Sequence, residues 1–109
     1  VKLILAIVQE KDSRRLMEGL VAAEFQATML ASTGGFLREG NATILIGTEE
    51  ERVDAALAVI QKHCHVREQL VSPLPPVVEP VDSYISYPVK VQVGGATVFV
   101  LDVERMVKL

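Results

Sequence analysis

From Leu3 to Val8 every residue is apolar, so both faces of an extended chain, Leu3, Leu5 and Ile7 against Ile4, Ala6 and Val8, demand burial. A strand of this kind belongs in the middle of a sheet that is covered on both sides. The run stops after six residues at Gln9-Glu10-Lys11-Asp12, too short for a membrane span or the apolar part of a signal peptide. No membrane insertion is expected. A single cysteine, Cys64, excludes an intrachain disulfide and fits a reducing compartment, so the expected location is cytoplasmic.

The rest of the chain supplies partners for that strand. Asp12 reads as an N-cap, and Leu16, Met17, Leu20 and Val21 line one face of a helix ending near Glu24. Phe25 to Ser32 is a second strand, and Ala42 to Ile46 is a third, again apolar on both faces. Thr48 and Glu51 have the spacing of a capping box ahead of a second helix with Val53, Ala56, Leu57, Ile60 and Cys64 on one stripe. His65 to Ser72 returns as a strand. The order β-α-β-β-α-β is the ferredoxin-like order, an α+β fold in one domain of 109 residues.

Pro73, Pro75, Pro76 and Pro80 then crowd one segment, and residues without an amide donor cannot build a ladder, so a long loop is expected over about 73–86. Beyond it, Tyr87 to Val93 and Ala96 to Val103 alternate around Gly94-Gly95, which reads as an additional C-terminal β-hairpin. A ferredoxin-like unit stacks both helices on one face of its sheet. Because the first and third strands are apolar on the other face too, a monomer would expose a contiguous apolar patch, and an oligomer is expected.

Thr33-Gly34-Gly35 leads into Phe36, Leu37 and Arg38, and the chain leaves through Gly40 and Asn41. Adjacent glycines without a Cβ let backbone N–H groups approach something small and polar, and a ring and an amide stand beside them. Such a loop can hold a nucleotide; it can equally be an ordinary turn. A net charge of −3 argues against a nucleic-acid partner, whose phosphates would call for surplus Lys and Arg.

Other chemistry finds little support. His63-Cys64-His65 are consecutive on a helix, so their side chains diverge by about 100° each, and no further Cys or His completes a four-ligand site. Cys64 reads as a small core residue. There is no nucleophile elbow around Ser32 and Thr33, no Walker A loop, and Glu49, Glu50 and Glu51 suit the positive end of a helix dipole. The chain is expected to be a binding protein without cofactor or metal, not an enzyme.

Thr33-Gly34-Gly35-Phe36-Leu37-Arg38-x-Gly40-Asn41, Arg67-Glu68-Gln69, Tyr87-Pro88-Val89 and Val93-Gly94-Gly95-Ala96-Thr97-Val98-Phe99-Val100-Leu101 follow one another in an order that resembles the PII-like cyclic di-AMP receptors of bacteria, the PstA (DarA) family. The resemblance runs from Lys2 past Phe99. It implies a homotrimer of ferredoxin-like subunits that binds cyclic di-AMP in the clefts between subunits without turning it over. Carried onto this chain, it implies Thr28, Gly35, Phe36 and Leu37 around the phosphates and one adenine, Asn41 and Gly47 on an adenine edge, and Phe99 from the C-terminal hairpin. These residue types suit the ligand: an amide matches the donor and acceptor edge of adenine, a ring gives a stacking surface, and backbone N–H groups meet phosphate. Position 26, where the resemblance implies a side chain facing the ligand and the family is commonly basic, is Gln26 here, and Lys108, standing where a glutamine is frequent, is expected to restore a positive charge beside the ligand.

The expected function is signalling: cyclic di-AMP binds, loops Thr33–Gly40 and Pro73–Tyr84 rearrange, and a downstream protein of unknown identity responds. A sensor of another adenine nucleotide, ATP or ADP, is the alternative that a neutral Gln26 favours. A structural oligomerisation module, with the glycines serving only as turns, is a third.

Overall fold

Strand β1 (Lys2–Gln9) does lie inside a sheet, and its two apolar faces explain why. The computed structural model describes residues 1–30, 40–71 and 89–109, so Gly35, Phe36, Leu37 and the proline segment lie outside the described residues. Helix α1 (Glu10–Ala22) follows β1 directly, and β2 (Gln26–Leu30) and β3 (Asn41–Thr48) come next. A single 3-10 turn, Glu50–Arg52, leads into α2 (Val53–Cys64), after which come β4 (Arg67–Val71), β5 (Val89–Val93) and β6 (Ala96–Asp102). The fold is α+β, with an antiparallel four-stranded sheet in the order β2-β3-β1-β6 and a separate two-stranded ribbon of β4 and β5.

The core lies between the helices and one face of the sheet. Ile4, Ala6 and Val8 of β1 and Ala42, Ile44 and Ile46 of β3 are buried against Leu16 and Leu20 of α1 and Ala56, Ile60 and Cys64 of α2. Their period-two spacing in the strands and near-3.6 spacing in the helices are what the sequence displays. Cys64 is the small core residue anticipated, and burial pushes its thiol pKa up to about 11.

Four local expectations change. The pair Gly94-Gly95 does not close a hairpin: β5 pairs with β4 and β6 pairs with β1. Strand β6 carries apolar residues on both faces, Val98 and Val100 against Phe99 and Leu101, and so completes the main sheet beside β1. Strand β5 alternates Val with Lys90 and Gln92, which suits a ribbon exposed to water. The fourth place of the ferredoxin-like order is therefore filled by β6, not by the strand expected over His65–Ser72.

The remaining two changes are at helix starts. Helix α1 begins at Glu10 with Gln9 as N-cap, and Asp12, inside the first turn, is buried in an ion pair with Arg67 at 2.8 Å. No side-chain capping bond forms at the start of either helix; Thr48 is instead the buried last residue of β3, and the 3-10 turn takes the place of a capping box. Helix α1 ends in a left-handed residue, Glu24 at φ 65°, stapled by Arg52, whose guanidinium donates to the carbonyls of Ala23 (2.8 Å) and Glu24 (3.2 Å) and lies 4.1 Å from the Phe25 ring centroid.

Candidate functional site

In an antiparallel ladder, residues directly opposite one another point to the same side of the sheet, so the register assigns every side chain to a face. The face turned away from the helices carries one row of Gln26, Gly47, Leu3 and Leu101, a second of Thr28, Leu45, Leu5 and Phe99, and a third of Leu30, Thr43, Ile7 and Thr97. Gln9 and Asn41 form a shorter fourth row at the far end. All five candidate residues in the described strands, Gln26, Thr28, Asn41, Gly47 and Phe99, therefore share this face. It is also apolar: Phe99 and Leu101 are 46 % exposed and Leu30 is 41 % exposed, beside half-buried Leu3, Leu5, Ile7 and Leu45.

The shared face does not make them one cluster within a chain. Gln26 sits directly across from Gly47, and Thr28 is about 7 Å further along the same strand at the usual rise of 3.4 Å per residue. Asn41 and Gly47 stand at opposite ends of β3, about 20 Å apart by the same rise, too far to contact one base together. Thr28 and Phe99 occupy the same row but lie on the two edge strands, about 14 Å apart at the ordinary strand spacing. Lys108 is exposed in the irregular tail that leaves β6 from the Gln26–Gly47 end of the sheet.

Gly47 carries the clearest local signal. Elsewhere among the described residues each glycine has an internal reason: a Cβ on Gly19 would come 2.6 Å from Nε2 of His63, and Gly40, Gly94 and Gly95 have φ between +83° and +89°. Gly47 has neither. Its φ is not positive, and a Cβ built on it meets nothing within 4 Å. A glycine paired in a β-ladder without an internal reason leaves the backbone open to the approach of a ligand or another chain.

The Asn41 end brings together residues that the periodicity left unremarked. Gln9 continues the phase of Leu3, Leu5 and Ile7, and so stands beside Asn41 on the open face; that phase was the signal for it. Its Oε1 accepts a hydrogen bond from the Gly94 amide at 2.8 Å. Next to it, the Glu10 amide donates to the carbonyl of Gly40 at 2.6 Å, which fixes the entry to Asn41. Surface clefts open on both sides of the pair, one toward Lys11 and Gly40 and one toward Gly94 and Thr97.

Asp12 was legible only as a cap. Both of its carboxylate oxygens accept from Arg67, at 2.8 and 3.4 Å, and Arg67 also donates to the carbonyl of His65 at 3.3 Å. That hydrogen bonding raises the Arg67 pKa above its ordinary value. The bonds anchor the first residue of β4 to the first turn of α1. No group of three metal-ligating side chains occurs among the described residues; His63 packs against α1 at Gly19, and Nδ1 of His65 lies 3.3 Å from the carbonyl of Gln61. Among those residues no helix is long and apolar enough to cross a membrane.

A family model described as "Cyclic-di-AMP receptor" matches residues 1–109. The fold is also similar to the crystal structure of a functionally unknown protein from Pediococcus pentosaceus ATCC 25745, with 44 % sequence identity and a TM-score of 0.79 over 99 % of this chain and 96 % of that one.

Proposed function

Because the chain belongs to the cyclic-di-AMP receptor family, we propose that it is a PII-like signal protein that binds cyclic di-AMP between the subunits of a homotrimer and does not turn it over. The observation that carries this reading is the common face of Gln26, Thr28, Asn41, Gly47 and Phe99. A face so apolar needs covering, and covering it with further copies of the chain brings the two distant ends of β3 toward one another across an interface. In that arrangement Asn41 of one subunit and Gly47 of another flank one ligand. The 20 Å between them within a chain, taken from the strand rise, then ceases to be an obstacle.

Each described residue has a role in this reading. Gly47 admits a base to the backbone, Asn41 hydrogen-bonds an adenine edge, Phe99 offers a flat apolar surface, and Thr28 and Gln26 hydrogen-bond the ligand from β2. Gly35, Phe36 and Leu37 would meet the phosphates and an adenine, and Lys108 would add a positive charge. The protein would work in the cytoplasm and act on a downstream protein through its loops. The neutral Gln26 favours one second reading, a sensor of ATP or ADP built on the same face.

Calorimetric titration with cyclic di-AMP, cyclic di-GMP and ATP, together with light scattering, tests both readings. Binding of cyclic di-AMP alone, by a particle of three times the 11.9 kDa chain mass, is the expected result. Preference for ATP would move the assignment to the second reading, and a monomer would remove the shared site.

A further inference from the structure

The residues Gln9 to Asp12 bond to more separate parts of the molecule than any of their sequence patterns requires. Glu10 holds Gly40, immediately before Asn41. Gln9 holds Gly94, immediately after β5. Asp12 holds Arg67, the first residue of β4, and Lys11 Nζ lies 3.4 Å from Oε1 of Gln69 in the same strand. Arg67 and Val93 are themselves paired, so both strands of the ribbon are held at their root by one four-residue segment that also touches the Asn41 end of the sheet.

We propose that Gln9 is a positioning residue that couples ligand at Asn41 to the seating of the β4–β5 ribbon; the proposal rests on the receptor reading above. A carboxamide has one acceptor oxygen and two N–H donors on a single planar group. Here the oxygen must face Gly94, because an amide N–H needs an acceptor, and this orientation turns the Nε2 donors away from Gly94. Gln9 and Asn41 are directly opposed in the ladder, where facing side chains start only about 5 Å apart. A base or phosphate acceptor bound by Asn41 is therefore within reach of Gln9 Nε2. Such a contact locks the carboxamide in the one orientation that keeps the Gly94 bond.

Gly94 is where a small change of this kind has consequences. Its φ of +83° and the crowding around it, with a Cβ running into the carbonyl oxygen of His65 and coming 2.5 Å from Arg67 Nη1, leave the junction between β5 and β6 little freedom. The neighbouring Gly95 amide is already committed to the carbonyl of Cys64. The Asp12–Arg67 pair, buried on the carboxylate side, attaches β4 through groups that do not face the Asn41 cleft. Gln9 is thus the link whose strength depends on what occupies the cleft beside it. By linkage, whatever factor ligand contributes to seating Gly94, a seated Gly94 contributes to ligand affinity.

The test is amide hydrogen exchange at Gly94 and along Val89–Val93 in the assembled protein, with and without saturating cyclic di-AMP, combined with calorimetry. In the parent, ligand should slow Gly94 exchange by about fivefold, the lower end of ordinary coupling. Gln9→Glu keeps an acceptor for Gly94 but loses the donors, so Gly94 should stay protected without ligand, gain nothing from it, and bind about fivefold more weakly. Gln9→Leu should exchange fast in both states, with melting of each variant checked against the parent. Equal ligand-dependent protection in Gln9→Leu and the parent would overturn the coupling, as would a parent that binds ligand by calorimetry with no change at Gly94. A parent that binds no cyclic di-AMP would sink the receptor reading itself, and the coupling with it.

Discussion

Replacing Gly47 by alanine separates what the fold needs from what the ligand needs. Inside the chain the substitution should be favourable: φ is not positive, the new methyl meets nothing within 4 Å, and glycine in a strand interior is less stable than alanine by roughly 0.5 to 1 kcal/mol. In a domain of this size 1 kcal/mol corresponds to a shift of about 4–8 °C, so ligand-free Gly47→Ala should melt a few degrees above the parent. Toward a base lying on the backbone between Gln26 and Leu3 the same methyl is an obstacle. Forcing an extra methyl into a close-packed contact costs about 1–3 kcal/mol, which is a loss of affinity from about fivefold to above a hundredfold. Calorimetry with cyclic di-AMP and a thermal melt without it read the two effects on one sample. Unchanged affinity would mean that nothing approaches Gly47. A lowered melting temperature without ligand would mean that another subunit, and not the ligand, occupies the space above it.

Gln26→Arg places a long cation opposite Gly47, where no side chain competes for room; a charged hydrogen bond in place of a neutral one should improve cyclic di-AMP affinity by about fivefold, and more at low salt than at high. Equal affinity at both salt concentrations would place residue 26 off the ligand. Phe99→Ala should weaken binding by about 1–3 kcal/mol if a base stacks there. The mass by light scattering should stay unchanged; a variant that falls apart into monomers would make Phe99 an assembly residue. For Cys64, a folded pKa near 11 against an ordinary 9.0 means that the buried thiol contributes stability in full below about pH 9 and loses it as the pH rises toward 11, because the unfolded chain ionises first. Denaturant midpoints falling more steeply over that window in the parent than in Cys64→Ala, with no labelling of the native thiol near pH 8, are the expected results; rapid labelling would refute the burial.

Periods along the chain are local properties of backbone geometry, and they were enough to determine which segments become helix or strand and which side chains share a face. Leu3 to Val8 announces a central strand, Leu16 and Leu20 a helix stripe, and the alternation of Gln26 with Thr28 their common side. The glycine, aromatic and amide types of the candidate site were equally legible, since their chemistry belongs to the residue. Strand partnership was not. Gly94-Gly95 is a good turn in isolation, but β6 gains more by lying against β1, where both its faces find apolar neighbours, than against β5 in water. Asp12 has the chemistry of a cap, and only the approach of Arg67, 55 residues away in sequence, turns it into a buried anchor. The same is true of the site. That Gln9 stands beside Asn41, and that Thr28 and Phe99 share a row on opposite edges of the sheet, follows from register and strand order, which depend on contacts between segments distant in sequence and so are decided by the tertiary structure alone.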